Sequence, residues 1–244
     1  MTNSHIVQSF DDDLRQIEGL LLEMGGLVEA QINDATDALL HRDMELGKKV
    51  RKVDKRINAL EVEINERAVR LLALRQPMAE DLRIIVAIMK VSANLERIGD
   101  YAKNIAKRNK VLALTQPIGS SAKTIKRMTA IVQEMVSQAL NAFIKRDLDT
   151  AEQVRMRDED VDLLHNTLFR ELLTYMMEDP RHITPCMHLL FIAKNVERAG
   201  DHTTTIAKQI FYLVNGEFPE GKRPKGDKTS TMVVEPRASG EEKG

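Results

Sequence analysis

Tryptophan is absent from this chain, and cysteine occurs once, at Cys186. A single cysteine excludes an internal disulfide and fits a reducing compartment. Aromatic residues make up only 4% of the 244 positions. A core so poor in rings must be built from Leu, Ile, Val, Met and Ala, as helical bundles are. An excess of charge of one sign is also lacking: 36 Lys and Arg face 37 Asp and Glu, a formal net charge of −1. That balance excludes nucleic-acid binding held by bulk electrostatics. Long apolar runs are missing. The longest, Ile84 to Met89 and Leu189 to Ala193, are far too short to span a bilayer. The first residues, Met1-Thr-Asn-Ser-His-Ile6, have neither the basic flank nor the apolar centre of a signal peptide. A cytoplasmic protein is expected, reaching a membrane only through partners. No segment alternates in the manner of a strand, and the zinc-protease pattern His-Glu-x-x-His does not occur.

What is present is helical periodicity. Phe10, Leu14, Ile17, Leu21, Met24 and Val28 recur at steps of four and three, followed by Ala35 and Ala38. This is the apolar seam of a bundle helix. Asp43 can cap a second helix with the stripe Val50, Val53, Ile57, Leu60, Ile64, Ala68, Leu71, which Pro77 ends. A third helix is expected from about Ala79 to Val111. After the break at Pro117-Ile-Gly-Ser-Ser121, a fourth runs to about Lys145. Asp147 opens a fifth, which stops near Asp179-Pro180. Thr184-Pro185 reads as the start of a sixth, with Thr as N-cap and Pro in the first helical position. Gly216 terminates it.

The halves repeat. His41-Arg-Asp43 recurs as Lys145-Arg-Asp147, and Asn94-Leu-Glu-Arg-Ile-Gly-Asp100 as Asn195-Val-Glu-Arg-Ala-Gly-Asp201. The expected fold is therefore all-α: two tandem three-helix bundles of six long helices, over residues 1–116 and 117–216. Residues 217–244, rich in Pro, Gly, Lys, Glu and Ser, read as a disordered tail. Within it, Gly216 to Arg223 nearly spells a phosphate-cradling loop. Arg223 stands where Ser or Thr is required, and no strand precedes, so the motif is discounted.

The acidic residues have the most unusual spacing. Glu96 and Asp100 lie four apart on one helix, and Glu197 and Asp201 repeat the arrangement. Asp158 and Asp162 form a third such pair, with His165 beyond; the matching positions in the first half are Asp54, Asn58 and Glu61. Like charges at this spacing repel by a few tenths of a kcal/mol when exposed and cost several times more when buried without a partner. Two readings follow. The pairs are solvated helix faces, neutralised in part by Arg97 and Arg198, or they are oxygen donors for a hard cation. Their duplication favours the second. So do Gly99 and Gly200, helix-interior glycines that cost about 1 kcal/mol each against Ala and permit close approach of a neighbour. Cys186, His188 and His202 read as packing or surface residues.

Both quoted stretches, with Arg75-Gln-Pro-Met-Ala-Glu-Asp-Leu-Arg83 and Tyr175-Met-Met-Glu-Asp179, resemble the PhoU family of phosphate-uptake regulators over roughly residues 7 to 215. The resemblance implies two three-helix bundles related by a pseudo-twofold, commonly as a homodimer, with Glu/Asp-x-x-x-Asp motifs holding multinuclear metal clusters. Carried onto this chain, the implied metal ligands are Asp54, Glu96, Asp100, Asp158, Asp162, Glu197 and Asp201. Asn58 departs from the motif and leaves one fewer anionic ligand in the first half. The ion would be divalent or trivalent: Fe, Zn, Mn, Mg or Ca. The implied role is not enzymatic. The protein would restrain phosphate uptake and the starvation response, as an adaptor between the phosphate ABC transporter ATPase and a phosphate-sensing histidine kinase. Two rivals stand beside it. One is a metal-free helical scaffold. The other is a carboxylate-bridged di-metal oxidase, which is poorly matched: such enzymes use Glu-x-x-His, and the nearest approach is a lone Asp162-Leu-Leu-His165.

Overall fold

The computed structural model describes residues 2–221, 223, 225–227 and 229, with the backbone alone for 2–9. Six α-helices follow one another: α1 Thr2–His41, α2 Met44–Arg75, α3 Glu80–Leu112, α4 Ser121–Lys145, α5 Leu148–Glu178 and α6 Ile183–Asn215. Among the described residues there is no strand, and no helix is long and apolar enough to cross a membrane. The all-α expectation holds.

The helix boundaries follow from local chemistry. Asp43 accepts the backbone N–H of Glu45 and of Leu46, both at 2.9 Å. Asp147 accepts that of Thr150 at 3.1 Å. Before each cap stands an arginine in the left-handed region, Arg42 at φ 56° and Arg146 at φ 58°. The caps' own N–H groups return to Ala38 and Ala142 at 2.9 and 3.0 Å, so the same chain reversal is built twice. One boundary differs from the sequence reading. Thr184 is not the cap of α6. Asp179 accepts from Arg181 N at 2.9 Å and starts a 3₁₀ turn over Pro180–His182 that runs directly into α6 at Ile183. Pro185 then sits in the first turn, where its missing N–H has no intrahelical partner to lose.

Helices α1, α2 and α3 pack on one another, as do α4, α5 and α6; the two units join through α3 on α6 and α1 on α4. Both seams are antiparallel. Along one, Asn94 and Tyr101 of α3 meet His202 of α6, while Arg108 meets His188. Along the other, Lys126 of α4 meets Asp37 of α1, while Arg146 meets Glu18. Two of the three helices of each unit, α1 with α4 and α3 with α6, thus pair with their repeat equivalents, as a pseudo-twofold between them requires. The predicted stripe residues Ile17, Leu21, Met24, Val28, Ile57, Leu60 and Ile64 are all buried. Buried Asn109 donates to Ala38 O at 2.8 Å and fixes the α1–α2 turn from below.

The tail expectation needs correction in part. Its described residues form neither helix nor strand, yet Arg223, Gly226 and Asp227 lie against α5 and α6. Low hydrophobicity argues against a packed core, not against ordering by ion pairs and backbone hydrogen bonds. Residues 230–244 lie outside the described residues.

Candidate functional site: two acidic clusters

In the first unit, α2 supplies Asp54 and α3 supplies Glu96 and Asp100. Asp54 is only 5% exposed. Lys103, one turn beyond Asp100, joins the two helices: its Nζ donates to Asp54 Oδ2 at 2.8 Å and to Asp100 Oδ1 at 2.7 Å. Burial would depress the lysine's pKa, but the hydrogen bonds and charges of Asp100 and Asp54 outweigh it and raise the pKa. Asp54 Oδ1 is buried without a hydrogen-bond partner. Glu96 is half-buried, 3.8 Å from Arg97. Burial first, then the charge of Asp100, raises its pKa. Asn58 is exposed. Glu61 accepts from Asn65 at 2.6 Å.

The second unit is more deeply buried. Asp158 and Asp162 of α5 and Glu197 of α6 are 1%, 3% and 6% exposed; Asp201 is half-buried. Burial pushes the Asp158 carboxyl up to about 7; Arg223 opposes the rise, and the charges of Asp162, Asp201 and Glu197 add to it. Its Oδ1 has no hydrogen-bond partner. Glu197 is also raised, by burial first, against the pull of Lys194, whose Nζ lies 2.8 Å from its Oε2. His165 is buried beside the cluster and held below its usual pKa by burial.

The two interior glycines differ in meaning. A Cβ on Gly200 would fall 2.5 Å from Asp158 Oδ1, so the absent side chain is what lets this carboxylate lie against α6. At Gly99 the equivalent atom would meet Gln31 Oε1 at 3.1 Å and Ile57 at 3.4 Å, a close approach by side chains of α1 and α2 rather than by a carboxylate of the cluster.

Cations of the chain itself close both clusters. Lys103 does so in the first unit. In the second, the Arg223 guanidinium forks between Asp158 and Asp201, Gly226 N donates to Asp162 Oδ2 at 2.8 Å, and Lys194 bridges Glu197 and Asp227 at 2.8 Å each. The sequence reading passed over all of these groups. Lys103 had a visible signal, a lysine three residues after Asp100 on the same face. Arg223 had none. As arranged here, no three His, Cys, Asp or Glu side chains among the described residues converge on a single ion position. The donor chemistry nevertheless suits a hard cation. Each cluster is purely carboxylate, spans two helices and keeps a buried, unpartnered oxygen, Asp54 Oδ1 in one and Asp158 Oδ1 in the other. Cys186 is buried, and burial raises its thiol pKa, as for a core residue.

Comparison with known proteins bears on both units. The model of the PhoU domain matches residues 21–108 and again 125–210. A "phosphate-specific transport system accessory protein PhoU homolog" of Rhizobium meliloti is 43% identical over 232 residues, covering 95% of this chain and 98% of that protein. One of Caulobacter vibrioides is 46% identical over 223 residues, covering 91% and 97%. Among solved structures, PhoU from Pseudomonas aeruginosa superposes with a TM-score of 0.82 at 43% identity, over 85% of this chain and 100% of that one. The phosphate transport system regulatory protein PhoU from Streptococcus pneumoniae gives 0.80 at 29% identity, over 86% and 99%.

Proposed function

The chain belongs to the PhoU family, and on that premise we propose that it is a cytoplasmic accessory of a phosphate transport system that restrains phosphate uptake. It acts as an adaptor, as a homodimer, between the ATPase of a phosphate ABC transporter and a phosphate-sensing histidine kinase. The starvation response is kept off while phosphate is plentiful. The observation that carries this reading is the coincidence of two things: relatives named for phosphate transport matching over nearly the whole chain, and twin rigid bundles that offer long helical faces for docking. The role is non-enzymatic. Relatives named as accessory proteins of a transport system support that reading.

Metal belongs to the same proposal. Asp54, Glu96 and Asp100 would hold an ion in the first unit, and Asp158, Asp162, Glu197 and Asp201 in the second. A bound cation neutralises the acidic faces and so sets the charge a partner meets. The deeper burial and extra carboxylate of the second cluster predict that it is the tighter site. The competing reading, a scaffold that needs no metal, draws support from Lys103 and Arg223, which already offset part of the charge.

Two measurements test the proposal. Affinity capture from cells grown with and without phosphate should recover the transporter ATPase in both and the kinase chiefly with phosphate. Recovery of neither under either condition removes the adaptor role. Elemental analysis of protein purified without chelator should find at least one divalent or trivalent metal ion per chain, strongly reduced in Asp162→Asn with Glu197→Gln. A metal-free wild type supports the scaffold.

A further inference from the structure

Every carboxylate of the second cluster is engaged, directly or through Lys194, by one short piece of the tail. Arg223 has a side chain only 7% exposed, and its two terminal nitrogens reach Asp158 on α5 and Asp201 on α6. A guanidinium is a rigid fork, so this contact ties the helices at a fixed separation. Three residues on, Gly226 is buried. Its N–H donates to Asp162 Oδ2 at 2.8 Å and its carbonyl accepts from Asn166 Nδ2 at 2.5 Å. A Cβ there would lie 2.9 Å from Asp162 Cβ, so the backbone approaches as only glycine allows. Asp227 then accepts from Lys194 at 2.8 Å and lies 3.6 Å from His165 Nδ1. Its carboxyl is held well below the usual range: burial would raise it, but hydrogen bonds from Lys194 and Thr229 prevail. Charge alternates along the segment to match the surface beneath: cation on acids, backbone amide on acid, acid on lysine. The first unit has no such cover among the described residues; Lys103 alone joins its carboxylates.

We propose that the acidic groove of the second unit is a peptide-docking surface whose occupant is this chain's own segment from Arg223 to Asp227, and that this segment and a metal ion are alternative occupants of the groove. The inference rests on the metal reading above only for its second half. The geometry makes the two exclusive. Arg223 holds Oδ2 of Asp158 and Oδ1 of Asp201, and Gly226 holds Oδ2 of Asp162, so the guanidinium fork fills the space between α5 and α6 and answers the same negative charge that an ion bridging these carboxylates would. An ion entering there displaces the guanidinium and frees Arg223, Gly226 and Asp227 from the groove. Because, among the described residues, only the second unit carries such a cover, metal would change the exposure of the Arg223 to Asp227 segment through that unit. The two halves then have different roles despite their shared motif.

The test uses the full chain in three forms: the parent, Arg223→Ala and Gly226→Val, each with Asp54→Asn to weaken the first site. Manganese(II) binding is measured by equilibrium dialysis and repeated with zinc(II), and amide exchange is followed over residues 223–229. In the metal-free parent the Gly226 amide should be protected, and saturating metal should abolish that protection. Loss of a charge-assisted contact worth a few kcal/mol should let both variants bind metal roughly 10- to 100-fold more tightly. An unprotected Gly226 amide in the metal-free parent overturns the docking. Equal affinity in all three chains, with the amide still protected in bound metal, overturns the exclusion and leaves the metal reading intact. If no chain binds either ion while Gly226 is protected, the metal reading and the exclusion fall together and the docked segment stands.

Discussion

Phe143→Ala is expected to lower the free energy of unfolding by about 3–5 kcal/mol, and the midpoint of thermal unfolding by roughly 6–20 °C for a chain of this length. Phe143 is fully buried and heads the largest enclosed side chains in a core with few rings. Aliphatic neighbours cannot supply the missing volume without backbone movement, so a cavity remains. The site also lies at a junction. The Arg146 guanidinium lies 5.1 Å from the Phe143 ring centroid and donates across the seam to Glu18 of α1 at 3.2 Å. Losing the ring therefore loosens α4 against α1 as well as emptying the core. Phe143→Leu, which keeps most of the volume, should recover more than half of the loss. Chemical denaturation of the three proteins measures this directly. A loss below about 1 kcal/mol in the alanine variant would mean that the seam closes onto the vacated space.

The same junction shows what a sequence can reveal. The apolar stripes and the caps at Asp43 and Asp147 are local, so periodicity and the presence of a short acidic side chain identify them. The repeat is equally legible, because Arg42 and Arg146 adopt the same left-handed turn before the same aspartate. The exception, the start of α6, arose from two competing signals. Asp179 and Thr184 are both good caps, and the 3₁₀ turn at Pro180–His182 settles the matter in favour of the first.

The candidate site was legible only in its acidic half. Spacing along a helix places Glu96 with Asp100, Glu197 with Asp201 and Asp158 with Asp162, and the structure brings Asp54 of α2 and Asp158 of α5 against the pairs on the neighbouring helices. What closes each cluster is a tertiary fact. Lys103 belongs to the right face but has no counterpart at the matching position of the second repeat, where Thr204 stands. Arg223 is 65 residues from Asp158 in the chain, in a segment without periodicity, and nothing local connects them. Gly99 and Gly200 looked equivalent in sequence. Only at Gly200 does the missing side chain make room for a cluster carboxylate. Composition predicted a disordered tail, an inference from its inability to bury apolar surface. It says nothing about a segment held by an arginine fork and a glycine amide.

Asp158→Asn should make the metal-free protein more stable at pH 8, a result opposite to the usual effect of deleting an ion-pair partner. The wild-type carboxyl is pushed up to about 7, chiefly by burial, with Arg223 only partly opposing. A carboxyl raised in the folded state holds its proton more tightly there than in the unfolded chain. Its contribution is complete below about pH 4 and is lost as the pH rises toward 7, because the unfolded chain sheds its proton first. The move from 3.8 to about 7 corresponds to a loss on the order of 4 kcal/mol. Asparagine has no such proton, keeps an oxygen to accept from Arg223, and removes one charge from the neighbourhood of Asp162, Glu197 and Asp201. Thermal unfolding in chelator at pH 5 and pH 8 should show the variant's advantage widening with pH, to roughly 8–16 °C at the upper value. Saturating manganese(II) should reverse the order, since an ion that binds only the folded wild type stabilises it by mass action. If the variant is instead the less stable protein at pH 8 without metal, the Arg223 pair outweighs burial. The second cluster would then be a settled internal salt bridge rather than a site under charge strain.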